Sequence, residues 1–157
     1  MISLQELLDS RDKRAARQGE LLHQFPGRAL LCLTVQLPGP EKRNAMSLKI
    51  ASAAVDAIDN AFKPVFKELK DLETGFEGYF IVEDTPFEAK VKAVEIEETH
   101  PLGRLMDIDV PGTDRAAAGL PPRKCLLCDN EVRYCMRART HSVKELLDRI
   151  ESLCEAY

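Results

Sequence analysis

The sequence predicts one domain, spanning residues 1–157, of the α+β class. Its sheet is expected to be mixed but largely antiparallel, with three to five strands and helices packed on it. Apolar residues recur at helical spacing at both ends of the chain and across residues 47–70. Between these helices lie short apolar or alternating segments that are typical of strands. The chain of 157 residues is long enough to bury a core of its own.

The net charge and hydropathy of the chain argue against nucleic-acid binding and membrane association. The formal net charge of −4 argues against bulk attraction to nucleic acid or to an anionic membrane. No apolar run approaches the roughly 18 residues that a membrane span needs, and the first residues lack the layout of a signal peptide. We therefore expect a cytoplasmic protein without a nucleic-acid or membrane partner. Its five cysteines are expected to be thiols or metal ligands rather than disulfides.

The chain begins with a predicted helix. Ser3 and Glu6 form a capping box, which predicts a helix over residues 4–24. Arg14 and Arg17 lie near the apolar stripe of this helix. They either face a site or extend along the surface into solvent, as long basic side chains commonly do.

A buried strand is predicted next, over residues 28–37, and Pro38-Gly39-Pro40 ends it. Lys42 follows the turn, an arrangement that suits a phosphate-binding loop. The spacing is not that of a Walker motif, and a plain surface turn is favoured unless other residues support phosphate binding.

The middle of the chain predicts a helix and three strands. Residues 47–70 read as an amphipathic helix that Pro64 kinks or splits. Strands are predicted over residues 76–82, over 88–98, where Val and Ile alternate with Glu, and over 104–110. Strands joined by short links usually pair, so the last two are expected to be neighbours.

The most informative feature is the pair Asp107 and Asp109 in the last of these strands. Side chains two residues apart in a strand point to the same face, and adjacent carboxylates repel unless a cation or a proton lies between them. The pair therefore predicts a Mg²⁺ or Mn²⁺ site of the kind used in phosphoryl or nucleotidyl transfer. The alternative is an exposed strand face with solvated carboxylates. Glu95 or Glu97 is then a third ligand or the general base, or equally an exposed strand residue.

The flanks of the pair support a phosphate ligand. Gly103 permits the close approach of a ligand, and Arg104 adds a forked donor that suits phosphate. Residues 68–98 hold ten acidic against three basic residues, whereas residues 123–139 hold five basic against two acidic ones. Such a basic patch suits a phosphorylated ligand or an acidic protein partner, although a solvated surface is the commoner explanation.

A cysteine-rich basic segment spans residues 121–142. It contains four side chains with the types and the first spacing of a Cys₃His zinc site, although the other intervals are not those of a standard finger. These residues are Cys125, Cys128, Cys135 and His141. The alternative is a set of thiols around a tight turn. A second capping box, which begins at Ser142, predicts a final helix over residues 142–155.

Three motifs together resemble one enzyme family. They are His-Pro-Leu-Gly-Arg-Leu-Met-Asp-Ile-Asp-Val at 100–110, Gly-Leu-Pro-Pro-Arg-Lys-Cys-Leu-Leu-Cys at 119–128, and Cys135 followed by Arg137, Arg139 and His141-Ser142. They closely resemble the citrate lyase holo-[acyl-carrier-protein] synthases, also called apo-citrate lyase phosphoribosyl-dephospho-CoA transferases. The resemblance runs from about residue 3 to residue 155. Gln36 departs from it, since Asn is expected before the Pro-Gly turn.

The resemblance implies a single transferase domain and a reaction. Such an enzyme transfers the 2′-(5″-phosphoribosyl)-3′-dephospho-CoA group from 2′-(5″-triphosphoribosyl)-3′-dephospho-CoA to a serine of the citrate lyase acyl carrier protein and releases pyrophosphate. Asp107 and Asp109 would hold Mg²⁺, and Glu97 would take the serine proton. His100 would bind phosphate or protonate the pyrophosphate, unless it only shapes the turn. The other residues expected to contact substrate are Gly103, Arg104, Arg14, Arg17, Lys42 and Arg123. The basic segment would dock the acidic carrier protein.

Two alternatives stay open. The first is a nucleotidyltransferase with another acceptor. The strand that carries the Asp pair resembles the nucleotidyltransferase superfamily, which usually has a Gly-Ser signature on a helix before the pair, and this chain lacks one. The second is a zinc-stabilised binding module without catalysis, in which the Asp pair is incidental.

Overall fold

The computed structural model describes residues 2–35 and 37–157, so the unusual Gln36 lies outside the described residues. Helices and strands follow one another in this order: α1 (Leu4–Gln24), β1 (Ala29–Val35), α2 (Ala45–Phe62), β2 (Phe66–Leu72), β3 (Gly75–Val82), α3 (Pro86–Thr99), β4 (Asp107–Asp109), α4 (Val132–Ala138) and α5 (Val143–Ala156). A 3₁₀ turn, Gly103–Leu105, precedes β4.

The strands form a sheet in the order β2-β3-β1-β4, and each neighbouring pair is antiparallel. This confirms the predicted α+β class and the antiparallel sheet. Every residue of β1 is buried, because β1 is a central strand with helices on both faces. β4 is an edge strand that pairs with β1 alone among the described strands.

The larger part of the core lies between the sheet and helices α2, α3 and α5. Leu33 of β1 and Ile108 of β4 both contribute to it, and burying each such side chain stabilises the fold by about 1.5–3 kcal/mol. A smaller cluster on the other face joins Tyr79 and Ile81 of β3 with Leu21 of α1. Helix α1 therefore packs on the face opposite to Ile108.

The predicted helix over 47–70 is wrong in its last third, residues 63–70. Helix α2 ends at Phe62, Lys63 adopts a left-handed conformation with φ of 48°, and Pro64 follows. Proline has no amide hydrogen, and its ring blocks the preceding helical turn, so the helix stops where a kink was expected. Residues 66–72 instead form the edge strand β2.

The predicted strand over 88–98 is also wrong, because these residues lie in helix α3. The Thr85 side chain accepts a hydrogen bond from the Glu88 amide at 3.2 Å, and a proline occupies the first turn, as helix starts favour. The buried residues of α3 follow one helical face. They are Ala89, Lys90, Ala93, Val94 and Glu97. Because this face contains two charged residues, the hydrophobic pattern in the sequence hid the helix.

The remaining elements agree with the sequence to different degrees. Helices α1 and α5 begin directly after Ser3 and Ser142, as the two capping boxes predicted. β4 is shorter than the predicted strand over 104–110, since its first residues form the 3₁₀ turn, and α4 was not predicted. Among the described helices, none has both the length and the apolar character to cross a membrane.

Candidate active site and metal-binding cluster

Asp107 and Asp109 project from one side of β4, while Ile108 between them is buried in the core. This confirms the predicted division of the strand into two faces. β4 pairs with β1 so that Asp107 lies opposite Thr34 and Asp109 opposite Cys32. Directly paired residues share a face of the sheet, so both carboxylates lie on the same face as α1.

The surroundings of Asp109 disfavour its charged form. Partial desolvation raises the pKa of Asp109, although its side chain keeps contact with solvent; the charge of Lys90 lowers this pKa, and the neighbouring charge of Asp107 raises it. Two carboxylates that resist being charged together are a favourable setting for a divalent cation, because the cation stabilises both ionised groups. The pair therefore has the donor chemistry of a Mg²⁺ or Mn²⁺ site.

A cavity of about 80 Å³ lies next to Thr34, between the first half of α1 and the sheet. We name it the cationic pocket, because Arg11, Arg14 and Lys42 line it. Thr34 connects it to the Asp pair, since this residue both lines the pocket and lies opposite Asp107. The cationic pocket is thus suited to an anion that also reaches a metal ion at the Asp pair.

Glu77 organises the cationic pocket, and no sequence argument singled it out. Its side chain is buried, with Oε2 accepting hydrogen bonds from Arg14 and Ser10 at 3.3 Å each, and Oε1 accepting one from the Tyr79 hydroxyl at 2.8 Å. Burial raises the pKa of Tyr79, and the bond to Glu77 raises it further. An acidic residue within the otherwise apolar strand 76–82 could have marked Glu77 as a candidate site residue. The sequence does not show the strand register that places it opposite Thr34.

Only some of the predicted phosphate ligands lie in the cationic pocket: Lys42 does, and Arg17 does not. The Lys42 ammonium donates to the carbonyl of Leu37 at 2.6 Å, and burial, together with the charge of Arg11, lowers the pKa of Lys42. An anion bound beside Lys42 would raise this pKa again, because its negative charge stabilises the ammonium and counters the charge of Arg11. Arg17 is engaged elsewhere, because its guanidinium makes two 3.0 Å hydrogen bonds to Glu68. The structure therefore brings Lys42 and Arg14 together in the pocket and keeps Arg17 in a separate ion pair.

A second cavity, of about 380 Å³, follows the outer edge of β4, and we name it the edge cavity. Charged residues from several segments line it. They are Lys90, Glu97, Asp107, Asp114, Arg115, Arg123, Glu131 and Arg133. Asp107 borders the edge cavity and its partner Thr34 borders the cationic pocket, so the two cavities lie on either side of this pair.

Glu97 lies beneath the edge cavity and holds β4 in place. Its Oε2 accepts the amide hydrogen of Ile108 at 2.8 Å, and its Oε1 accepts from Arg115 at 2.7 Å. Lys90 donates to the Ile108 carbonyl at 3.1 Å, so two side chains of α3 satisfy both backbone groups of Ile108. Glu97 was expected beside the Asp pair on a neighbouring strand. It instead reaches β4 from a helix, with both oxygens already bonded.

Two predicted phosphate ligands, Arg104 and Arg123, donate hydrogen bonds to backbone carbonyls in this structure, and their predicted contact with substrate stays a prediction. The Arg104 guanidinium donates to the carbonyls of Lys124, at 2.9 Å, and Cys125. Arg123 donates to the carbonyls of Arg104 and Met106 at 2.7 and 2.6 Å. Each arginine therefore ties the turn before β4 to the cysteine-rich segment, and together they form a reciprocal clamp.

Gly103 and His100 shape the same turn. A Cβ atom on Gly103 would lie 2.4 Å from the Ile96 carbonyl oxygen and 2.5 Å from that of Glu97, so the close approach that this glycine permits is to helix α3. His100 Nδ1 accepts the Leu102 amide hydrogen at 3.0 Å, and burial lowers the pKa of His100. These contacts support the structural alternative for His100 that the sequence left open.

The cysteine-rich segment folds so that its four predicted ligands meet. The ligand atoms of Cys125, Cys128, Cys135 and His141 all lie within 4.8 Å of one another. The Cys128 and Cys135 sulfurs are 3.4 Å apart, and His141 Nε2 is buried without a hydrogen-bond partner. Three thiols and an imidazole at these separations can hold a metal ion.

Comparisons with known proteins give one consistent result. A family model described as apo-citrate lyase phosphoribosyl-dephospho-CoA transferase matches residues 2–157. A protein of Streptococcus pyogenes serotype M18, named probable apo-citrate lyase phosphoribosyl-dephospho-CoA transferase, is 34% identical over 99% of this chain and 87% of its own length. A Vibrio cholerae serotype O1 protein of the same name is 37% identical over 99% of this chain and 93% of its own length. The Haemophilus influenzae protein CitXG is 35% identical over 98% of this chain, which spans 35% of that protein's length.

Proposed function

Because the chain belongs to the apo-citrate lyase phosphoribosyl-dephospho-CoA transferase family, we propose that it is a single transferase domain that completes citrate lyase. It transfers the 2′-(5″-phosphoribosyl)-3′-dephospho-CoA group from the triphosphate precursor to a serine of the citrate lyase acyl carrier protein. The observation that carries this proposal is the position of the Asp pair beside the cationic pocket. Thr34, which lines the pocket, is the direct strand partner of Asp107.

Asp107 and Asp109 are the proposed ligands of Mg²⁺ or Mn²⁺. Their donors are hard oxygens on one face of β4, a strand held by β1 along one edge and by Glu97 and Lys90 of α3 along the other. When bound, the ion supplies positive charge to the phosphates of the precursor. Thr34, opposite Asp107, adds a neutral hydroxyl on the same face.

Arg11, Arg14 and Lys42 are proposed to hold the β- and γ-phosphates. Their cavity is small, which fits a compact anion better than a nucleoside. Glu77, itself held by a hydrogen bond from Ser10, accepts a hydrogen bond from Arg14, so the Arg14 guanidinium is positioned before the substrate arrives. The lowered pKa of Lys42 returns toward its usual range when a phosphate binds beside it.

The transfer itself is a displacement at the α-phosphorus. The serine oxygen forms a new bond to this phosphorus, and the bond to the bridging oxygen of the β-phosphate breaks, with its electron pair leaving on pyrophosphate. The hydroxyl proton passes to a carboxylate of the site. Both carboxylate oxygens of Glu97 are bonded, to Ile108 and Arg115, so Asp107 or Asp109 would take the proton on the carboxylate oxygen that does not bind the ion.

The acidic carrier protein is proposed to dock on the basic segment around α4. Arg133 and Arg137 carry positive charge there, and Tyr134 and Met136 are exposed at 57% and 73%. Charge complementarity favours encounter with an acidic partner, and exposed aromatic and methionine side chains are enriched at such contacts.

The test is modification of the carrier protein, followed by intact-mass spectrometry. Purified protein is mixed with the apo-carrier protein, the triphosphoribosyl-dephospho-CoA precursor and Mg²⁺. The wild type and an Asp56→Asn control, changed at an exposed position of α2, are expected to add the prosthetic group. The Asp107→Asn Asp109→Asn variant is expected to add none.

Two results would contradict the proposal in different ways. No mass gain with folded protein and verified substrates would rule out this reaction and favour a non-catalytic binding module built on the cysteine cluster. A mass gain that survives in the double Asp variant would keep the reaction but remove the Asp pair from it.

A further inference from the structure

We propose that Cys125, Cys128, Cys135 and His141 bind one structural Zn²⁺, and that this ion fixes the position of the strand that carries the Asp pair. The proposal concerns the architecture of the protein and does not depend on which group the enzyme transfers. It rests on the orphaned atom of His141, on the scarcity of other buried groups in this segment, and on the arginine clamp.

The geometry of His141 points to a metal. Its Nε2 is buried among the three sulfurs and has no hydrogen-bond partner, which is costly unless a ligand completes it. Its Nδ1 lies 3.9 Å from a carboxylate oxygen of Glu145. This separation is longer than a hydrogen bond, but it places a carboxylate on the side of the ring where such groups orient zinc-binding histidines.

The turn around Cys125 has the features of a thiolate ligand. The Leu127 amide donates to the Cys125 sulfur at 3.4 Å, and the Cys125 amide donates to the Asn130 carbonyl at 2.7 Å. Three sulfurs and one imidazole form a donor set that zinc prefers.

Few side chains of the cysteine-rich segment and the loop before it are buried. Residues 111–142, all of which the structure describes, include only three buried residues: Ala118, Cys125 and Cys135. Two of these belong to the cluster, so apolar burial contributes little here. Segments that cannot build a sufficient core commonly depend on a structural metal, whose binding free energy becomes folding free energy.

The arginine clamp connects the cluster to the Asp pair. Arg104 donates to the carbonyl of Cys125, itself a proposed ligand, while Arg123 donates to the carbonyls of Arg104 and Met106. Met106 directly precedes Asp107 in the chain. Arg123 also lies 3.8 Å from Glu97, which bonds the Ile108 amide, so two routes lead from the metal site to β4.

The first experiment measures zinc in the purified, fully reduced full-length protein. We expect one zinc per chain by elemental analysis and, after exchange into Co²⁺, the intense thiolate absorption of a tetrahedral site. Cys128→Ser changes the least buried of the three cysteines. It is expected to lower zinc affinity by more than about a hundredfold, because loss of a ligand should cost more than loss of a residue that only orients a ligand. Cys154→Ala, which changes a buried cysteine of α5 outside the cluster, is expected to retain one zinc. Absence of zinc from the wild type, or equal zinc in Cys128→Ser, would overturn the metal site.

The second experiment tests the connection to β4 by hydrogen exchange. Removal of zinc with a chelator is expected to speed exchange in peptides covering residues 103–110 as well as in those covering 123–141. Peptides from β3, residues 75–82, serve as the internal control and are expected to stay protected, because this strand pairs with β2 and β1 and is not a neighbour of β4. Faster exchange over 123–141 with no change over 103–110 would overturn the connection and leave a zinc site that stabilises its own segment alone.

Discussion

The two sides of β4 differ in how their polar groups are used. On the sheet face that packs against α1, which we call the inner side, the carboxylates of Asp107 and Asp109 stay exposed, and Thr34, the partner of Asp107, lines the cationic pocket. On the outer edge, the amide and carbonyl of Ile108 are bonded by Glu97 and Lys90, whose own side chains are buried. The outer edge therefore stabilises the strand, and the inner side keeps its charges available for ligands.

This difference explains why charged residues of similar type have different roles. An exposed edge strand would offer free backbone groups to other chains, and burying ionic groups is costly unless they are paired. Glu97 and Lys90 bond the free amide and carbonyl of Ile108, so the edge of β4 is covered. The same bonds give the two buried charged groups hydrogen-bond partners.

Replacing Glu97 with Gln is expected to weaken the outer edge severely. The change leaves Arg115 without its buried partner, and breaking a buried ion pair by removing one member costs about 3–5 kcal/mol. Urea unfolding measures the loss. Glu98→Gln is the matched control, since Glu98 is an exposed partner of the same arginine and its removal should cost less than about 1 kcal/mol. Equal losses in the two variants would contradict the proposed division.

Replacing Gly103 with Ala is expected to disturb the turn before β4. The added Cβ would meet the backbone carbonyls of Ile96 and Glu97, which cannot yield like a flexible side chain, so we expect a loss of about 1–3 kcal/mol. Gly19→Ala in α1 is the contrast, because its Cβ has open space and alanine favours helices by roughly 0.5–1 kcal/mol. Thermal melting of both variants should give shifts of opposite sign, and a Gly103→Ala protein as stable as wild type would refute the close packing.

Replacing Lys42 with Gln is expected to affect the inner side without unfolding the protein. Loss of one cation from the pocket should raise the KM for the triphosphate precursor about tenfold, equivalent to about 1.4 kcal/mol. Lys49→Gln is a close control, since Lys49 also donates to a backbone carbonyl at 2.6 Å, that of Cys154, but lies outside the pocket. A similar KM change in both variants would show that the pocket does not bind the phosphates.

Replacing Asp109 with Asn is expected to raise stability slightly in the absence of divalent cations. The folded-state pKa of Asp109 is raised, so its ionisation opposes folding, and this cost appears as the pH rises above the unfolded value of about 3.9. The variant should therefore be more stable than wild type at pH 7 and equal to it at pH 3. Urea unfolding at both values measures the difference, and a variant that is less stable at pH 7 would contradict the raised pKa.

The sequence predicted the inner side of β4 better than the outer edge. Alternation over Met106, Asp107, Ile108 and Asp109 is a local pattern with a period of two, so the facing of the Asp pair followed directly and is confirmed. The buried stripe of α3 contains Lys90 and Glu97, and their burial follows only from contact with Ile108. A helix whose core-facing residues include charges has no clear apolar periodicity, which is why it was read as a strand.

The sequence by itself determined the class of fold, the starts of α1 and α5, the two faces of β4 and the residue types of the cysteine cluster, because capping, periodicity and ligand chemistry act over a few residues. Tertiary structure alone decided that Arg104 and Arg123 bind carbonyls, that Arg17 pairs with Glu68, and that Glu77 organises the cationic pocket. A guanidinium fork fits carbonyl, carboxylate and phosphate oxygens alike. Which of these it meets therefore depends on neighbours that only the folded chain brings together.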